Sequence, residues 1–557
     1  MLDRECRKII RQWEDHRSPE QSRPCRRMAS VRRDRWGSIP TWLTTVLLCL
    51  LMGSLLLGCQ SRGENSETSL PETTLTTTDP ATLSSLPEEK WQFDSAFSAK
   101  RACTNALDLV HRLSDYDEEA VTAYRAFQND TRNEMMREDI TQGELEALYL
   151  QIQERSRTLT LKQGDVARVY ITTDYDQYTV DRSYRSCRLG FVPAAGEAGE
   201  ALSMTECQIR LRGNSTASGP KFPYAIKLSE SESLFGMGKG KRWNLLANLH
   251  DKTMLRNTIG LRLADELDAP YTPKTKIVEV YFNGKYQGTY DLVEAITDKK
   301  TRVDIDVTAH ECILEIDANR DDGSYYLVTP MGMRFKVDKP EDVSEEMRSW
   351  LDTFLVEAET ALLEGHGADY FDLDSFVNVY LTLEVTKNLD SNSFSTRYFI
   401  KENKIYAGPV WDFDLSSGNV SPYVDEEGYK IYLNIEGRGD DSGDSTHGLW
   451  NRQGWFAALF THEADFANMV AARYTEMRPL FENIYKDNEL GRSWIGGWQD
   501  KYGTAFRRNY DEGGWDMYGR YSPYHMEPTL DYAENVQFLI DWFEDRLTWL
   551  DGVYYIG

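Results

Sequence analysis

Apolar and polar positions along this chain fall into blocks of different period, and each block predicts a different kind of segment. From 92 to 163 apolar residues recur at three and four positions, which predicts helices over Phe97–Leu113, Asp117–Arg137 and Thr141–Thr158. Thr141 followed by Glu144 has the form of a capping box at the start of the third. From Asp165 the pattern alternates. Val166–Thr172, Cys207–Arg212 and Tyr224–Leu228 are short and rich in β-formers, so they read as strands. A helix is expected over Asp251–Leu267, with Met254, Ile259, Leu261, Leu263 and Ala264 inward and Arg256 and Asn257 toward a cleft. Ile277–Glu294 predicts two strands joined at Asn283-Gly284, a pair that supplies the positive φ of a tight hairpin. Strands over Cys312–Asp317 and Met333–Val337 and a helix over Glu341–Leu363 follow.

The stretch from Asp372 to Gly418 carries the chemistry. Asp374 or Ser375 caps a helix in which Phe376, Tyr380, Leu383 and Lys387 share helical spacing, ending near Asn388. Asp390 comes next, in a loop. Arg397–Lys401 and Lys404–Val410 predict a hairpin turning at Glu402-Asn403. A hairpin brings its ends together, so Asp390 is expected near Asp412 and Asp414 of Trp411-Asp412-Phe413-Asp414. Carboxylates gathered in this way repel one another unless a cation sits between them. Phosphoryl transfer asks for that arrangement, one aspartate near the attacking hydroxyl and another on Mg²⁺. Upstream, Arg212 to Lys221 is a Gly/Ser/Thr-rich loop between two strands. Its backbone N–H groups suit phosphates, with Lys221 or Lys227 neutralising charge, and the same residues also serve as plain turn formers.

Beyond Gly418, the acidic stretch Gly437–Asp444 reads as a solvated loop whose aspartates do not follow an EF-hand order. Helices are then expected over Gly454–Phe460, Phe466–Tyr485, Trp494–Arg508 and Thr529–Leu550. Trp494, Trp498, Trp515 and Tyr521 read as core of a helical region, with a carbohydrate-stacking face as the alternative.

The N-terminus has a different character. The first 36 residues are net basic, 37–58 carry no charge, and Trp42–Gly58 is almost wholly apolar, ending Leu-Leu-Gly58-Cys59. That is the layout of an export signal. The ending resembles a bacterial lipobox in which Cys59 takes lipid; a single N-terminal transmembrane helix is the alternative. Met28 opens a more usual signal than Met1 does. Residues 60–90 are a Ser/Thr/Pro-rich tether. At 557 residues the chain has room for two or three domains, and 63 basic against 90 acidic residues, net −27, argue against nucleic acid as a partner of the folded part. Oxidising surroundings permit disulfides among Cys103, Cys187, Cys207 and Cys312, of which Cys187 and Cys207 are closest in sequence. No Cys/His spacing suggests zinc.

Five motifs carry a family resemblance. They are Arg212-Gly-Asn-Ser-Thr216 with Pro220-Lys221 through Tyr224 to Lys227-Leu228, Trp243 to Asn248, Asp251-Lys-Thr with Leu255-Arg-Asn257, Asn283-Gly284 through Glu294, and Trp411 to Asp414. In this order the chain resembles the spore-coat CotH kinase family, over roughly 165–418 and into the helical tail. The resemblance implies an α+β chain with a divergent protein-kinase-like two-lobed fold, strand-rich nucleotide-binding lobe 165–337 and helical lobe 338–557, after the helical subdomain 91–164 that the periodicity predicts. It implies transfer of the ATP γ-phosphate to protein Ser/Thr with Mg²⁺ or Mn²⁺, on a surface or coat protein outside the cytoplasm. By motif, Gly213, Asn214, Ser215, Thr216, Ser218 and Lys221 would cover the phosphates and Lys227 would pair with them. Leu292 and Glu294 would lie under adenine, Asp390 would be catalytic, and Asp412, Asp414 and Asn392 would serve the metal. Kinases of this type carry an asparagine five residues after the catalytic aspartate; here that position is Ser395. Glu266 is the expected carboxylate partner of Lys227. A binding module without turnover and a nucleotidyltransferase are the rival readings.

Overall fold

The computed structural model of the chain describes residues 95–108, 118–157, 164–173, 180–197, 202–213, 216–317, 324–419, 423–424, 430–431, 445–517 and 530–556. The leader, Cys59, the tether, Asn214, Ser215, Tyr521 and the acidic Gly-rich loop Gly437–Asp444 lie outside these residues. Helices α1 (Ala96–Asp108), α2 (Glu118–Met135) and α3 (Gln142–Arg157) follow the three predicted ones closely. The capping box is real: Glu144 N–H donates to Thr141 Oγ1 at 3.3 Å and Thr141 N–H to Glu144 Oε2 at 2.8 Å. Cys103 and Leu107 of α1 and Leu145, Leu148 and Ile152 of α3 are buried.

Seven strands then close into a barrel. They are β1 (Arg168–Thr173), β2 (Arg185–Val192), β3 (Leu202–Leu211), β4 (Tyr224–Glu232), β5 (Gly240–Leu246), β6 (Thr275–Phe282) and β7 (Lys285–Glu294), in the order β1-β2-β3-β4-β5-β7-β6. Neighbours are antiparallel except at the seam, where β1 pairs with β6 in parallel. Alternation decides what fills it. Val169, Ile171, Leu189, Ile209, Ile226, Leu228, Trp243, Leu245, Val278, Val280, Tyr290 and Leu292 point inward and form one core. Their sequence neighbours Arg210, Lys227 and Arg242 are only partly buried or exposed. Asn283 and Gly284 have φ of 48° and 72°, so the β6–β7 turn has the left-handed pair that Asn-Gly predicts.

Strand β8 (Cys312–Asp317), β9 (Tyr326–Val328) and β10 (Arg334–Lys339) do not join the barrel. With β11 (Phe394–Lys401) and β12 (Lys404–Ala407) they make a second sheet, ordered β12-β11-β8-β10-β9. Sequence order groups these strands with those before them, up to 337; strand pairing instead puts β8 beside β11, about 80 residues on. The chain is thus mixed α+β, with a closed barrel in place of a single strand-rich lobe.

Helices α4 (Arg256–Glu266), α5 (Glu345–Leu363), α6 (Leu373–Val385), α7 (Gly454–His462), α8 (Phe466–Glu482), α9 (Trp494–Asp511) and α10 (Tyr532–Tyr554) make up the helical part: α6 packs on β12 of this sheet, α4 on α6 and on β6, and α9 on β7 of the barrel. Asp372, not Asp374 or Ser375, caps α6, accepting from Ser375 N–H at 3.0 Å. Trp455 of α7 centres an aromatic cluster, 4.8 Å from Tyr398, 5.0 Å from Phe335 and 5.3 Å from Phe371. Trp494 is buried, with Arg262 4.1 Å from its ring, while Trp498 and Trp515 are half-buried and Trp515 donates to Gln287 O. No helix among the described residues is long and apolar enough to cross a membrane.

Candidate functional site

The site is built where the loop after α6 meets the loop after β12. Leu389 N–H donates to Leu415 O at 3.1 Å and Ser417 N–H to Thr386 O at 2.7 Å, so the two loops run side by side. Asn388 joins their aspartates. Its side-chain Oδ1 accepts from Asp390 N–H at 3.1 Å and its side-chain Nδ2 donates to Asp412 O at 2.8 Å. Asp390 opens a short 3₁₀ turn, Asp390–Asn392. Asp412 has φ 66°, a left-handed conformation that costs energy in any residue but glycine, and Ser395 (φ 62°) donates from Oγ to Asp412 Oδ2 at 3.2 Å.

The N-terminal end of α4 holds the Asp412–Asn419 loop from below. Asn257 Oδ1 accepts from Phe413 N–H at 2.8 Å, between the two aspartates. Its amide donates to Asn248, and Asn248 donates to Asp291 on β7, so the contact continues into the barrel. Arg256, 1% exposed, donates to Ser416 O and Ser417 O and pairs with Asp251 at 2.6 Å. Asp251 also accepts from the N–H groups of Thr253, Leu255 and Arg256, capping the helix. Gly260 is required: a Cβ there would lie 2.2 Å from the Phe413 ring.

Electrostatics report the convergence of the carboxylates. Burial and then Asp412 push the Asp390 carboxyl up to about 7. Asp414, 8% exposed, is raised well above the carboxylate range by burial, then by Asp412, Asp390 and Asp251. The opposing charges are Arg212 and Arg397, whose guanidiniums lie 5.3 Å and 6.0 Å from the Trp411 ring. Burial holds Arg212 below its ordinary value, with Asp412 the leading opposing influence, and Arg397 is ion-paired with Glu315. Buried His250 is likewise lowered, with Asp412 working against the burial.

Among the described residues no three carboxylate, His or Cys side chains converge closely enough to chelate an ion unaided. Asp412 and Asp414 nevertheless suit Mg²⁺ or Mn²⁺, since such ions take one or two carboxylates and complete their shell with phosphate oxygens and water. A buried Asp414 whose charged form is penalised by burial and by Asp412 and Asp390 nearby is the donor chemistry a cation relieves.

The remaining expected residues are dispersed. Gly213 (φ 83°) and the turn Thr216–Ser218 begin just past Arg212, and the loop packs on Leu249, which a Cβ at Gly219 would strike at 2.0 Å. Lys221 faces away from this loop. Its ammonium, 2% exposed, donates to Thr289 O at 2.5 Å and Asn509 Oδ1 at 2.9 Å and lies over Tyr290, tying the barrel to α9. Lys227 points outward from β4, opposite Gln208 and Arg242, beside a cavity of about 630 Å³ that Arg242, Arg302, Lys339 and Glu341 also line. Glu266 does not reach it: exposed on α4, it pairs with Arg262 at 3.6 Å. Leu292 is in the barrel core, where β7 alternation puts it, and Glu294 is paired with Arg302 at 3.0 Å.

The profile of the family described as CotH kinase protein matches residues 209–550, from β3 through most of α10. The chain belongs to the CotH kinase family. A search of curated proteins gave no match. In this CotH kinase family member the match contains every element that touches the site, while α1–α3, β1 and β2 precede it. Sequence reasoning misses Asn388, Arg212, Arg397 and His250 as site members. Arg212 was legible as the first residue of the Arg-Gly-Asn-Ser-Thr motif; Asn388, Arg397 and His250 reach the site only through backbone contacts and pairing that no spacing reveals.

Proposed function

We propose that this protein is an atypical protein kinase that transfers the γ-phosphate of ATP to serine or threonine hydroxyls with Mg²⁺ or Mn²⁺. The observation that carries the proposal is the meeting of Asp390, Asp412 and Asp414 beside Arg212, at the mouth of the Gly213 loop. Ala225 and Lys227 share the outer face of β4, as the alanine and lysine of a kinase strand must if one packs on adenine and the other pairs with phosphates. Arg210, opposite Ala225, continues that face on β3, and Arg212 follows the strand's last residue. A kinase-like two-lobed division, barrel against second sheet and helices, follows from this reading.

Each residue then has a task. Asp390, with a carboxyl titrating near neutrality, accepts the proton of the attacking hydroxyl. A bond forms between that oxygen and the γ-phosphorus, and the bond to the β–γ bridging oxygen breaks. Asp412 and Asp414 would hold the divalent ion, which when bound neutralises phosphate charge. Arg212 and Arg397, kept in place by Trp411 and Glu315, stabilise the charge on the transferred group. Export and lipid attachment at Cys59 belong to the same proposal and rest on residues 42–59.

The rival reading, a binding module without turnover, draws support from Ser395, which occupies the place of a metal-binding asparagine and donates to Asp412 instead. One experiment separates them. With γ-labelled ATP and Mg²⁺ or Mn²⁺, label should pass to protein serine or threonine, and Asp390→Asn should lower turnover about 10²–10⁴-fold with nucleotide affinity kept. Transfer that survives both Asp390→Asn and Asp412→Asn refutes the assignment, and transfer from α-labelled ATP selects nucleotidyl transfer.

A further inference from the structure

Cys187 and Cys207 stand directly opposite each other on β2 and β3, with their sulfurs 3.1 Å apart. Directly opposed residues of an antiparallel pair hold their Cα atoms about 4.5–5.5 Å apart, inside the range of about 4.4–6.8 Å that a disulfide spans. The other two cysteines of the described residues have other settings. The Cys103 thiol donates to Leu145 O at 3.2 Å within the N-terminal helices, and Cys312 lies on β8 in the second sheet. We propose that Cys187 and Cys207 are joined by a cross-strand disulfide in the exported protein.

The place of the pair explains what the bond does. The β2–β3 register shifts between Leu189 and Phe191, and Cys187↔Cys207 is on the side of that irregularity from which β3 runs on to Leu211, Arg212 and the Gly213 loop. A strand that slips by one residue turns every side chain to the opposite face. Such a slip here would carry Arg210 and Arg212 into the apolar barrel and Ile209 out to the cleft. The covalent link fixes the register on the side that matters for Arg212. This holds whether or not the site turns over ATP.

In chemical terms one S–S bond forms and two S–H bonds break, releasing two protons and two electrons. The electrons pass to the disulfide of a thiol–disulfide oxidoreductase, which leaves as a dithiol. Both thiols are buried, 2% and 5% exposed, so exchange occurs before the barrel closes. The test uses the full chain secreted through an oxidising compartment, denatured with alkylating agent and no reductant, then digested. A linked peptide pair holding Cys187 and Cys207, lighter by two hydrogens than the separate peptides, with Cys103 and Cys312 alkylated, is expected. Recovery of Cys187 and Cys207 as separately alkylated peptides overturns the proposal. A second measurement does not depend on variants folding well: strong reductant should lower the unfolding midpoint of the wild type by several degrees and leave that of Cys187→Ala/Cys207→Ala unmoved. A wild type indifferent to reductant overturns it equally.

Discussion

At the scale of single residues, Asp390 and Gly260 make the site testable without any assay of turnover. The folded chain holds the Asp390 proton up to about 7, against an ordinary 3.8, because burial and Asp412 both penalise the charged form. Between those values the folded state keeps a proton that the unfolded chain has released, so stability from this group is complete below the lower value and is lost as pH rises through the upper one. Metal-free protein should therefore lose unfolding midpoint between about pH 4 and 7 relative to Asp390→Asn, and Mg²⁺ should shrink the difference by supplying positive charge in the proton's place. Melting curves across pH, with chelator and with Mg²⁺, read this directly; parallel wild-type and mutant curves would remove Asp390 from the carboxylate cluster. Gly260 gives a steric test. Its missing Cβ makes room for Phe413, the residue between Asp412 and Asp414, so Gly260→Ala should cost about 1–3 kcal/mol by overpacking. Metal affinity should fall with it, measured by calorimetry, because the ring cannot move without both aspartates.

At the scale of elements, the Asp390 loop is held from behind by a buried ion pair. Glu384 of α6 and Arg546 of α10 meet at 2.6 Å, both essentially inaccessible. Glu384 also accepts from the N–H groups of Trp450 and Asn451, and Arg546 donates to Thr446 O and Gly448 O. Asn451 in turn touches Ser391, and Lys387 donates to Ser445 O and His447 O. Arg546→Met strands a buried carboxylate and should cost about 3–5 kcal/mol, part of it regained in Glu384→Gln/Arg546→Met. Urea unfolding gives the energies, and hydrogen exchange should show 387–392 and 445–451 opening together; exchange confined to α10 would refute the linkage. Much of this level was legible in the sequence. The α6 periodicity, the β11–β12 hairpin at Glu402-Asn403 and the Asn283-Gly284 turn follow from local rules, and so did the approach of Asp390 to Asp412. Strands β2, β5 and β9 were not, because Arg185–Val192 and Gly240–Leu246 break alternation with successive buried residues and β9 has three residues. Nor was the fate of Lys221, whose neighbours Gly219 and Pro220 resemble a phosphate loop while its nitrogen is satisfied by Asn509, far away in sequence.

At the scale of the whole molecule, the barrel and the second sheet are separate hydrogen-bonded bodies that share the site. Arg212 belongs to the end of the barrel strand β3; Asp390 and Asp412 come from loops flanking the β11–β12 hairpin of the other sheet. Few covalent or backbone ties fix their spacing, so Arg256 and Asn257 on α4 and the Lys221–Asn509 contact carry much of the alignment. A nucleotide lying between Lys227 and Asp412 would add contacts to both bodies at once, and such a ligand stabilises with the logarithm of its excess over Kd, about 2.7 kcal/mol at a hundredfold excess. Mg²⁺-ATP should therefore raise the unfolding midpoint more than ATP with chelator does. Lys227→Met should reduce both shifts, because it acts on the nucleotide. Asp412→Asn should abolish only the Mg²⁺-dependent increment, because it acts on the ion. That pattern is independent of turnover, so a catalytically silent protein would still produce it. Midpoints unmoved by ATP, with or without metal, would leave the outer face of β3 and β4 without a nucleotide and the kinase reading without its substrate.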